Sequence, residues 1–231
     1  MHKFIYISVV FLATSLIACK RGNISEAGQA GSFLFNKNNE TRLVNNINTQ
    51  LSPSEYVQWI QNSENGLKKE KKIDEISFSL QHKPTDYVIC QEEQTNTISP
   101  QVLKSKRAEL NDMEYYDFKI ILANGEGELL KHNLESNDQY DKRVKYFAFE
   151  MQKDIAIVQN NDTIPCALFH FERAYDVSPF STFLLGFAKQ KNDTKYNEKT
   201  FIYHDKVFKK GIIKFTYTHN ELHNIPQLKT L

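Results

Sequence analysis

The chain has 231 residues, with 29 Lys and Arg against 28 Asp and Glu, a formal net charge of +1, and a mean hydropathy of −0.53. Nucleic-acid binding needs a concentrated basic footprint, so this balance argues against nucleic acid as a partner. The length suffices for one large domain or two small ones, with a core able to fold unaided.

The chain opens on an apolar run from Phe4 to Ala18, broken only by Ser8, Thr14 and Ser15, behind the polar start His2-Lys3. A membrane-spanning helix needs about 20 apolar residues, so the run is short and reads as the core of a signal peptide. It ends in Leu16-Ile17-Ala18-Cys19: a large apolar residue, two more residues closing on a small one, then cysteine. This resembles the lipobox of bacterial lipoproteins. The resemblance implies that the signal (residues 1–18) is removed and that Cys19, now first in the chain, carries a diacylglycerol and an acyl group such as palmitate. The partner is then the lipid bilayer itself. One acyl chain gives only marginal attachment and two give a stable anchor, so acylated Cys19 needs no spanning helix. Without residues 1–18, which hold Lys3 and no acid, the remainder is formally neutral.

Residues 19–50 are rich in Asn, Gln, Gly and Ser around one small apolar cluster, Phe33-Leu34-Phe35, and read as a flexible tether. Residues 51–231 read as a single α+β domain. Ser52 and Glu55 form a capping box with Pro53 at the first helical position, and Tyr56, Trp59 and Ile60 share a face. Asn65-Gly66 stops the helix. The charge run "LKKEKK" reads as a solvated surface, and Ile76, Phe78 and Leu80 alternate as a half-buried strand. Pro84 opens a short helical or extended piece. Ser99-Pro100 starts a helix with Val102, Leu103, Leu110 and Met113 inward.

From Tyr115 the period shifts to two. Tyr116, Phe118, Ile120 and Leu122 alternate, and after a polar, helical interlude (residues 137–143) so do Phe147, Phe149 and Met151. Ile155 and Ile157 precede a turn at "QNNDT". "CALFHF" and "TFLLGFA" are apolar on both faces and predict central strands, and "GIIKFTY" closes the set. The expected fold is α+β: N-terminal helices followed by a mostly antiparallel β-sheet or β-sandwich-like second half.

Chemistry-bearing patterns are few. His219 and His223 stand four apart in "HNELH", as zinc-protease ligands do, but Glu221 follows the first histidine by two and is rotated about 200° from the shared face. Metal binding at His219 and His223 is therefore disfavoured, and no cofactor is expected. Asn124 to Glu128, "NGEGE", reads as a loop tip. His170 lines up with Cys166 and Leu168 on one face of an ideal strand, which raises a Cys–His pair against a plain core histidine. Cys90 and Cys166 stand either as a disulfide or as two buried thiols, and their apolar contexts favour the thiols. Trp59 and most of the 16 Phe and 11 Tyr fall on core-facing positions.

The lipobox and the run "LSPSEYVQWIQNSENGLKKEKKI" resemble uncharacterised lipoproteins of Bacteroidota. Lipoproteins of that group that reach the cell surface carry acids just after the cysteine, whereas Lys20-Arg21-Gly22 follows here. The resemblance implies anchorage in the outer membrane, facing the periplasm. It also implies O-glycosylation at Thr163, within Asp162-Thr163-Ile164. The expectation from the whole sequence is a non-enzymatic binding or accessory subunit of a cell-envelope assembly. The alternatives are an envelope hydrolase built on His170 or on His219 and His223, and a ligand- or glycan-binding lipoprotein.

Overall fold

Alternation of inward and outward side chains organises most of the described chain, which comprises residues 49–173, 178–190 and 198–230 of a computed structural model. The signal, Cys19 and the tether up to residue 48 lie outside the described residues. Two short strands, β1 (Gln50–Leu51) and β10 (Gln227–Leu228), pair in parallel and tie the two ends of the domain together. The main sheet comprises β2 (Lys68–Ile73), β3 (Ile76–Lys83), β4 (Met113–Leu122), β5 (Ile155–Gln159), β6 (Asp162–Glu172), β7 (Phe180–Ala188), β8 (Lys199–Asp205) and β9 (Gly211–Tyr217). Its order is β2-β3-β4-β7-β6-β5-β8-β9, with every neighbour antiparallel.

This sheet is not divided into two layers. It curls until its outer strands meet, and one apolar cluster drawn from β3 to β9 fills the inside of a nearly closed barrel. Phe78, Phe118, Phe183, Phe187, Phe201 and Tyr203 are fully buried there. A sandwich-like second half is therefore replaced by a single rolled sheet. The reason is strand twist accumulating over eight short strands whose inner faces all carry large side chains. The seam between β2 and β9 is closed by side chains. Lys71 Nζ donates to Lys214 O (3.3 Å), and Tyr217 Oη donates to Leu67 O (3.3 Å) and Leu80 O (3.1 Å). The lysine-rich run is thus an edge strand, and its charges blunt an edge that would otherwise template aggregation.

The helices do not all precede the sheet. Helix α1 (Pro53–Gln61) comes before β2, and its capping box forms as Ser52 and Glu55 predict. Helices α2 (Thr85–Glu93) and α3 (Pro100–Leu110) lie between β3 and β4. Together they bury Tyr56, Ile60, Leu67, Tyr87, Ile89, Cys90, Ile98, Leu103 and Leu228 in a second, smaller core. Val102, expected inward, is exposed, because the face of α3 that meets α2 centres on Leu103. A short helix α5 (His219–His223) supplies Leu222, which packs against both cores.

The opposite end of the barrel is plugged by helix α4 (Asn137–Lys145), a π turn at Tyr146–Glu150 and a 3-10 turn at Met151–Asp154. Phe147, Phe149 and Met151 are therefore not strand residues. Phe147 and Met151, four apart, share the buried face of continued helical turns, while Phe149 between them is 75% exposed. Spacings of two and four look alike at their ends, and only Phe149 distinguishes them.

A bulge in β6 corrects a second expectation. Cys166 pairs with Phe187 and Leu168 with Gly186, so Ala167 is the extra residue. Inserting one residue flips the face of everything after it. Cys166 points into the barrel, Phe169 and Phe171 pack on the core, and His170 is exposed. Gly186 sits opposite the bulge, where an added Cβ would lie 2.7 Å from Met113 Cε and 3.0 Å from Leu168 Cβ. Gly186→Ala should cost about 1–3 kcal/mol through overpacking. A thermal melt identical to that of the unaltered protein would contradict this close packing.

Candidate functional site

The inward rows of the barrel do not end in apolar residues at the helix-covered mouth. The row Ile76, Phe78, Leu80 of β3 continues to His82, and the row Phe118, Tyr116 of β4 continues to Glu114. On β8 the row Tyr203, Phe201 continues to Lys199. Antiparallel pairing brings these strand ends to the same mouth, so three ionisable groups form one tier above the apolar interior.

Their partners are well defined. Lys199 Nζ is bonded to Glu114 Oε1, and the two side chains are only 7% and 11% exposed. Tyr116 Oη donates to Glu114 Oε2 (3.1 Å). The His82 ring packs on Tyr116 and Tyr217, with centroids 5.0 and 6.0 Å away, and Tyr116 meets Phe187 edge-on at 5.7 Å. His82 Nδ1 is enclosed without a hydrogen-bond partner among the described residues. Burial, aided by the charges of Lys199 and Lys189 against that of Glu114, pushes the His82 pKa down to about 4.

Between this tier and the helices lies a cleft of about 310 Å³. Its polar lining is His82, Lys83, Thr85, Glu114, Lys189, Lys199 and His223, and its apolar part is Pro84, Leu222 and Ile225, with Met113 at the edge. Lys83 is held by Asp117 at 3.1 Å. A partly apolar concavity with a few fixed polar groups, at the mouth of a barrel, is the usual form of a small-molecule site.

The residues singled out by sequence are scattered. Only His223 lines the cleft. Its ring stacks on His219 with centroids 3.9 Å apart, and its Nδ1 lies 3.0 Å from His219 O. Glu221 turns away, as its position predicts, accepting from Thr218 N (2.7 Å) and pairing with Lys69 (2.7 Å). Among the described residues no three His, Cys, Asp or Glu side chains are placed to hold a metal. Cys90 and Cys166 are both free thiols, buried in different cores. Burial raises each to about 11, so both stay protonated at neutral pH, and exposed His170 is outside the barrel that encloses Cys166. The "NGEGE" segment is a loop with Gly125 and Gly127 at positive φ, and Thr163 is exposed on β6 beyond the Asn160-Asn161 turn.

His82, Glu114 and Lys199 escaped sequence reasoning because each looks like a polar residue bounding a strand end. The signal that finds them is phase: each stands two residues from a large buried side chain.

No known protein family matches the chain, and neither does any curated protein or solved structure.

Two outcomes follow from the tier. Because His82 is neutral when folded and titrates near 6.5 when unfolded, unfolding takes up a proton between those values. Its contribution to stability is complete above about pH 6.5 and is lost as pH falls toward 4, amounting to about 3 kcal/mol. Denaturant titrations across that range should show a flatter pH dependence for His82→Asn than for the unaltered chain, and parallel curves would contradict the assignment. Separately, Lys199→Met leaves the Glu114 carboxylate buried with Tyr116 alone and should cost about 3–5 kcal/mol. Pairing it with Glu114→Met should recover much of that loss in the same titration.

Proposed function

We propose that the protein is a lipid-anchored, non-enzymatic binding subunit of the cell envelope, with its ligand site in the cleft at the barrel mouth. The reading combines two supports. The N-terminal pattern Leu16-Ile17-Ala18-Cys19 supports acylation of Cys19 and anchorage in the outer membrane facing the periplasm. The observation that carries the binding role is the cleft, whose charged wall is fixed in place before any ligand arrives. Lys199 is pinned by Glu114 and Lys83 by Asp117, which lowers the ordering cost of binding. In this reading the domain serves an envelope assembly as an accessory protein, and exposed Thr163 is its O-glycosylation position.

The hydrolase alternative was built on His170 or on His219 and His223, of which only His223 lines the cleft; the other imidazole there is His82, near the Glu114 carboxylate. General bases work best with a pKa near the working pH, and His82 at about 4 is far below neutrality. Its neutral ring is suited to packing and hydrogen bonding, which favours binding over catalysis.

Each half of the proposal has its own experiment. Cys19→Ser should remain an unlipidated precursor, while an unchanged mature-size, detergent-phase product would remove the anchor. For the cleft, natively isolated protein should release a stoichiometric small molecule on denaturation, detected by mass spectrometry. Leu222→Trp, which fills the cleft, should release none. Equal release from both chains would rule out this site.

A further inference from the structure

The charge arrangement around the cleft carries the reading of this site one step further, to the class of its ligand. Two of the three lining lysines are already neutralised, Lys199 by Glu114 and Lys83 by Asp117. The third, Lys189, is exposed on the rim just after β7 and has no ion-pair partner among the described residues. Glu114, the cleft's own carboxylate, is satisfied by Lys199 and by the Tyr116 hydroxyl, so it offers little to a cation. The lining therefore presents one net positive charge.

A second feature adds to it. Thr85, the first residue of the nine-residue helix α2, lines the cleft, and the residue before it is Pro84, whose side chain provides no cap. The N-terminus of this helix, the positive end of its dipole, thus borders the cleft without a side-chain acceptor in place. Asp86 in the same turn is occupied by Arg107, through bonds of 2.7 and 2.5 Å. Facing these groups, Leu222 and Ile225 form a wall with no polar side chain, and Met113, whose methyl end lies against Gly186, stands at the edge of the cleft.

We propose that the cleft binds a small amphipathic monoanion, a carboxylate carried on an apolar body. The carboxylate sits between Lys189 and the start of α2, and the body lies against Leu222 and Ile225. The inference rests on the cleft being the ligand site, and the test separates the two.

Methionine gives a local reporter, because the chain has three: Met1, Met113 at the edge of the cleft and Met151 in the plug at the far end of the barrel. With methyl-labelled methionine in the full lipidated chain in nanodiscs, three probes of equal chain length are titrated: hexanoate, 1-hexanol and hexylammonium. Hexanoate should move the Met113 resonance saturably, leave Met151 in place, and bind at least tenfold more tightly than either other probe. Lys189→Glu should weaken hexanoate at least threefold and strengthen hexylammonium. If 1-hexanol or hexylammonium moves Met113 as readily as hexanoate, or if Lys189→Glu leaves hexanoate affinity unchanged, the anionic class is wrong while the cleft remains a binding site. If none of the three moves Met113, the cleft is not the ligand site and both readings fall.

Discussion

Everything in this domain depends on the phase of its strands. In an antiparallel barrel, one residue in two must point inward, and the inside has room for one packed set of side chains. Eight short strands meet that demand with aromatic residues, which fill the volume in few positions. Where a strand outruns the apolar interior, its next inward residue still points in, and its chemistry decides what that end of the barrel becomes.

The two ends resolve this differently. At the plugged end, the β8 row finishes in Asp205, which is 3% exposed. Its carboxylate accepts from the Val207 and Phe208 amides at 3.1 Å, the Lys210 amide at 2.9 Å and the Tyr203 hydroxyl at 3.3 Å. Its acceptor capacity is spent on the β8–β9 loop and on Tyr203, and Arg143 closes the neighbourhood by donating to Leu130 O and His132 O above the Phe208 ring. That is a structural use of buried polarity. At the helix-covered mouth, His82, Glu114 and Lys199 are enclosed at the bottom but open onto a cleft, and the same device becomes a wall with recognition capacity.

Much of the architecture is legible in the sequence because local rules and tertiary demands agree. The capping box at Ser52, the Ser99-Pro100 helix start, the strand over 76–83 and the Asn-Asn turn are all specified within a few residues. The failures are equally local in cause. The β6 bulge inserts Ala167 with no compositional mark, so His170 changes face silently. The π turn preserves a spacing that a strand shares. Sheet closure depends on twist summed over eight strands, and nothing short-range encodes whether the sum ends in a sandwich or a ring. The candidate site was the least legible part: its members lie at 82, 114, 189, 199 and 223, and meet only because the strand order brings them together.

The seam between β2 and β9 gives this arrangement an unusual mechanical character. A ring closed by a complete ladder has a fixed girth, since widening it breaks a row of amide bonds together. This ring is fastened at a few points by a lysine tip and a phenol, so its girth can change one fastening at a time. Tyr217 is both the phenol of that fastening and the ring beneath His82. The latch of the hoop thus packs against the ring of a residue that lines the cleft.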